Sequence, residues 1–165
     1  MCPSEADIAR SPAVISAHGA RTTMWPQLSV RRGREAVDFY KAAFGAVEVY
    51  RVGGTDHHED VVAQLTIGDA SFWVADESPE HKNFSPQTLG GGTARMLLVV
   101  PDPHEVVQRA VALGATEVSA PEEAHGWLVG RIEDPFGHHW EIGWPIEGWP
   151  PSRPLEHSRR PTLPG

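Results

Sequence analysis

Between residues 24 and 145 the apolar positions follow two rhythms, one strand-like and one helical, and their order occurs twice. WPQLSV (25–30) and RMLLVV (95–100) are short apolar runs bounded by turn residues, which predicts buried strands. A helical pattern follows each, at about 34–44 and 103–113. In the first, Ala36, Val37, Tyr40, Ala43 and Phe44 recur at helical spacing and mark the face to be buried. Gly45 and Gly114 stand where a helix end takes a left-handed residue. AVEVYRV, VVAQLTI and SFWVAD then predict three strands in the first half; TEVSA, LVGRIE and HWEIGW predict three in the second.

The two halves match residue by residue. Glu35 and Glu105, and Val37 and Val107, lie 70 positions apart; Gly45 and Gly114, and Gly68 and Gly137, lie 69 apart. The motif Gly-Ala-x-Glu-Val closes both helices, at 45–49 and 114–118. A near-constant offset held by several matches in the same order indicates a tandem duplication of a βαβββ unit. The expected fold is α+β: two four-stranded mixed sheets with helices outside and inner faces enclosing a cleft. Repeat one covers 24–76, a polar linker 77–93, and repeat two 94–145. Residues 1–23 and the proline-rich 146–165 are expected to be tails, with Trp149 an exception able to fold back on the body.

Alternation along the strands assigns side chains to faces. Trp25, Gln27 and Ser29 are expected on the inner face, with Phe72 and Val74, Arg95, Leu97 and Val99, and His139 and Glu141. Leu28, Val30, Trp73, Met96, Leu98, Trp140 and Ile142 are expected to back onto the helices.

Charge narrows the partners. A net charge of −8 opposes a nucleic-acid footprint, because a phosphate backbone would be repelled. No run approaches the roughly 20 apolar residues of a membrane span, and the first residues lack a signal-peptide pattern. Cys2 is the single cysteine, so no disulfide forms within the chain. These features lead to the expectation of a cytoplasmic protein. The glycines at 90–92 lack the Lys-Ser/Thr of a phosphate loop and read as linker.

REAVDFYKAAFGA, QLTIGDASFWVADES and above all DPFGHHWEI resemble the vicinal oxygen chelate superfamily of glyoxalases, extradiol dioxygenases and bleomycin-resistance proteins. FYKAAFGA and DPFGHHW look most like its PhnB-like branch. The resemblance covers 25–144 and implies the paired βαβββ fold. In metal-dependent members it implies an ion held by the first and last strands of each repeat. The matching positions here are Trp25, Phe72 (or its neighbour Trp73), Arg95 and Glu141. Glu141 alone among them has ligand chemistry, whereas a catalytic zinc-type site ordinarily needs three protein ligands. His139 shares a face with Glu141 and is the best second ligand; His138 points the other way and shapes the strand entry. His57 and His58 read as a solvated turn.

Two functions are consistent with these residues. One is a metal-free, cofactor-free cleft that sequesters a small, partly aromatic molecule, as in bleomycin resistance. Trp25, Phe72 and Trp127 would stack on it, and Gln27, Gln64, Arg95, His139 and Glu141 would orient it. The other is a lyase or isomerase in which Glu141 is the acid/base, with or without a divalent metal. Arg95 needs an anion if buried, and Glu141, taken as its counterpart across the cleft floor, is the natural partner. The resemblance allows a homodimer, and no sequence feature selects it over a monomer.

Overall fold

Two copies of one topology make up the chain, and each carries its helix on a single side of its sheet. The structure, a computed structural model, describes residues 22–56 and 59–149. Of the expected tails, 1–23 and 146–165, residues 1–21 and 150–165 lie outside the described residues, as do His57 and His58. The first unit ends at Leu89 and the second begins at Gly90. In the first, β1 (Gln27–Val30), α1 (Gly33–Phe44), β2 (Val47–Val52), β3 (Val62–Ile67) and β4 (Ala70–Asp76) form a sheet of order β1-β4-β3-β2. A single 3-10 turn (Pro79–His81) and the short helix α2 (Pro86–Leu89) follow. The second unit repeats the order with β5 (Arg95–Val99), α3 (Pro103–Ala112), β6 (Thr116–Ala124), β7 (Trp127–Glu133) and β8 (His139–Pro145), arranged β5-β8-β7-β6. In both sheets the first strand pairs parallel with the last and the other pairings are antiparallel. This is the expected mixed βαβββ sheet.

Helix α1 forms where the apolar stripe predicts it. Ala36, Val37, Tyr40 and Ala43 are fully buried, and Tyr40 stacks on Phe44 at 5.9 Å between ring centroids. Its first turn is closed by a distant residue. Arg32 supplies no side-chain cap; instead Asp76, at the end of β4, accepts from Gly33 N (2.8 Å) and from Val61 N (2.7 Å). One carboxylate thereby satisfies an orphan helix amide and the entry to β3. In the second unit the cap is local, with Asp102 accepting from Glu105 N at 3.0 Å. Gly45 takes the left-handed conformation (φ 68°) that ends α1.

Two expectations change. The stretch 77–89, read as linker, is tied to the first sheet. Glu77 accepts from Thr88 Oγ1 and Ser85 N, Arg31 lies 3.3 Å from its carboxylate, and Ser29 hydrogen-bonds Asn83. These hydrogen bonds, the Thr88 hydroxyl foremost and the Arg31 charge least, hold the Glu77 carboxyl down at about 2. Second, β6 runs on to Ala124 through Pro121. Proline is tolerated because β6 is an edge strand with bulges either side of Ser119, so no ladder bond is demanded of it. Gly130 on β7 makes room: a Cβ there would sit 2.8 Å from Pro121 N.

Two outcomes follow from these contacts. Gly130→Ala should lower stability by about 1–3 kcal/mol, read as a lower denaturant midpoint at unchanged slope. Glu77 has a folded value (about 2) below the ordinary 4.5, so its stabilisation is complete above pH 4.5 and disappears as pH falls towards 2. The stability gap between the wild type and Glu77→Gln should therefore close across that window in urea titrations at stepped pH.

Candidate functional site

The turn inside DPFGHHW determines what β8 presents. Asp134 is 3% exposed, and its Oδ1 accepts from Phe136 N and His138 N, both at 2.9 Å. Its Oδ2 accepts from the indole Nε1 of Trp140 at 2.9 Å. Gly137 supplies the positive φ (90°) that the turn requires, donating to Asp134 O. Trp140 (4% exposed) and Ile142 (0%) are thereby held on the buried side. His139 and Glu141 must then point to the opposite, helix-free face.

That face of the second sheet is ionic. Register places Arg95, His139, Glu133 and Thr116 in one row across the strands. Leu97, Glu141, Arg131 and Ser119 form the next row. Arg95 Nη1 lies 3.0 Å from Glu141 Oε1, a diagonal pair between adjacent parallel strands. The expected ion pair exists, but both partners belong to the second sheet, and it does not cross a cleft floor. Burial is not its cause either, since the side chains are 54% and 35% exposed. A pair so open contributes about 0–1 kcal/mol after solvent screening. On this face the guanidinium with an unpartnered Nε is Arg131, which sequence reasoning missed. Its Nε is shielded from solvent and makes no hydrogen bond, and the same is true of His139 Nδ1. No carboxylate among the described residues pairs with Arg131, although Glu141 sits opposite it in the ladder. An alternation count along LVGRIE, starting from Ile132 as core, would have found it.

The open face of the first sheet is neutral. Gln27, Trp73, Gln64 and Tyr50 form one row across β1, β4, β3 and β2, with the Tyr50 and Trp73 rings 5.8 Å apart and nearly perpendicular. Gln27 and Gln64 are where the sequence put them. Phe72 is not: it is 6% exposed and meets Tyr40 of α1 edge-on at 5.6 Å. Phe72 and Val74 are therefore core under the helix, and Trp73, expected in the core, takes the open face. Register makes the same correction, because Trp73 pairs with Gln27 as Glu141 pairs with Leu97. Trp25 precedes β1 and is 37% exposed. Trp127, a candidate for stacking on a ligand, is met edge-on by Trp149 of its own chain at 5.3 Å. Trp149 does fold back.

Among the described residues no three His, Cys, Asp or Glu side chains are grouped to hold an ion. Glu141, the single carboxylate at the positions implied by the resemblance, already faces a guanidinium.

A model of the glyoxalase-like domain matches residues 26–143. An uncharacterised protein of Mycobacterium tuberculosis is 39% identical over 125 residues, 73% of each chain. The crystal structure of an Arabidopsis thaliana gene product superposes with a TM-score of 0.58 at 30% identity, covering 74% of this chain and 98% of that one. The fosfomycin resistance protein FosX of Listeria monocytogenes, solved with Mn(II) and sulfate, shares the fold at TM-score 0.56 and 15% identity, over 74% and 91% of the two chains.

The turn makes one prediction. Asp134→Ala leaves two amides and an indole N–H without their acceptor and should destabilise the chain by about 3 kcal/mol, as measured by chemical denaturation. Trp140→Phe, which removes only the indole bond, should cost less.

Proposed function

The chain belongs to the family of glyoxalase-like domains, in the vicinal oxygen chelate superfamily, and from that membership we propose a small-molecule-binding protein of the sequestration or resistance type that works without a resident metal. The Arg95–Glu141 pair carries this reading. An arginine stands at one of the positions where metal-dependent relatives are expected to place a ligand, and it engages the carboxylate at another. A guanidinium supplies the positive charge of an ion but has no lone pair and no open coordination position. It can orient a polar group; it cannot act as a Lewis acid.

The helix-free face of the second sheet has the mixed character of a ligand seat. Leu97 and Val99 are about half exposed on it beside the charged rows. On the first sheet, Gln27, Gln64, Trp73 and Tyr50 offer stacking area and amide hydrogen bonds to a planar molecule. The alternative, a lyase or isomerase with Glu141 as acid/base, needs that carboxylate to reach a substrate proton, and its contact with Arg95 opposes this. A cytoplasmic location, a PhnB-like branch and a homodimeric assembly belong to the same proposal. Its partners are small molecules; nucleic acid and membranes are not, and no described helix is long and apolar enough to cross a bilayer.

The test is a ligand screen by thermal shift, repeated with EDTA, followed by mass spectrometry of the recovered ligand. Stabilisation that survives EDTA and returns the ligand unchanged is the expected result. A stoichiometric divalent ion in the purified protein, or a ligand altered in mass, would overturn the proposal in favour of an enzyme.

A further inference from the structure

The second sheet presents two polar groups that the fold itself leaves unsatisfied. Arg131 Nε and His139 Nδ1 are both shielded from water and both lack a hydrogen-bond partner. They lie on neighbouring antiparallel strands, in adjacent rows of one face: Arg131 opposite Glu141, and His139 opposite Glu133. Shielded polar groups are ordinarily paired, and a guanidinium most of all. Glu141 does not meet the need, because Arg95 holds it at 3.0 Å from the other side.

Building on the small-molecule reading above, we propose that Arg131 and His139 form the subsite for a carboxylate on the ligand, whose apolar body lies along Leu97 and Val99. A carboxylate has two in-plane oxygens, one to accept from Arg131 Nε–H and the other from the imidazole in its Nδ1–H tautomer. The charges on this face favour a monoanion. Arg95 and Arg131 oppose Glu133 and Glu141 in these two rows, and Glu122 adds a negative charge in the row of Val99. A doubly charged phosphate would bring two negative charges against the two glutamates; a carboxylate brings one and meets Arg131, which has no ion-pair partner among the described residues. Geometry places the body as well: Leu97 shares a row with Arg131, and Val99 lies two residues further along the same face.

The experiment uses three probes with one ring, benzoate, benzamide and phenylphosphonate, titrated into the full chain with nitrogen-15 detection at a pH where the phosphonate is doubly ionised. Benzoate should bind about tenfold or more tightly than benzamide, the value of one charge-assisted hydrogen bond. It should also shift the Arg131 Nε–H and His139 ring-nitrogen resonances. Arg131→Gln should bring the benzoate-to-benzamide ratio close to one, and Arg131→Lys should restore part of it. Equal binding of acid and amide by the wild type overturns the carboxylate subsite, and that comparison stands even if the variants fold poorly. Tighter binding of phenylphosphonate than benzoate overturns the monoanion assignment. If benzamide binds as well as benzoate, the small-molecule reading survives; if no probe perturbs the second sheet, the subsite and the ligand seat on this sheet fail together.

Discussion

A strand that leaves a tight turn can enter its sheet in either of two phases, and the Asp134 carboxylate selects one of them for β8. By gathering the amides of Phe136 and His138 and the indole of Trp140, it fixes the large ring on the helix side. A one-residue slip would expose Trp140 and Ile142 and bury His139 and Glu141, exchanging hydrophobic burial for unpaired polar groups. The make-up of the second sheet's open face depends on this phase. DPFGHHW therefore acts first as a structural clamp, and its chemistry is a consequence of where the clamp points the strand.

The duplicated units solve the same packing problem and arrive at different surfaces. Each lays its longest helix on one face of a four-stranded sheet and leaves the other face free of that helix. Burial constrains the helix side to apolar residues in both copies. The open side carries no such constraint, so it is where the copies have diverged: amide and aromatic in the first, ionic in the second. An arginine in place of a metal ligand is consistent with that freedom. It keeps positive charge on the face and has no lone pair to offer a metal.

The fold was legible because its signals are local and repeated. Helical spacing in α1, a glycine after each helix and a near-constant offset all survive without knowledge of any contact. The site was legible in part. Gln27, Arg95, His139 and Glu141 followed from alternation in strands where polar and apolar residues take turns. In SFWVAD they do not: Phe72 and Trp73 are both large and apolar, and the period has no phase to read. Tyr40, from a helix some 30 positions upstream, decides the matter by packing on Phe72. The stretch 77–89 misled for a related reason. Its composition is that of a linker, yet Glu77, Ser85 and Thr88 find one another and Arg31 through hydrogen bonds that composition does not encode.

The amino-acid order by itself determined the duplication, the βαβββ units, the helix faces and the ionic character of β5 and β8, since these depend on periods of two and 3.6 residues within one segment. Tertiary structure alone decided the phase of β4, the isolation of the Arg131 Nε and the packing of Trp149 on Trp127. Each of these is a choice among neighbours brought together by strand register. Register is set by the burial of a whole face, which no single segment carries.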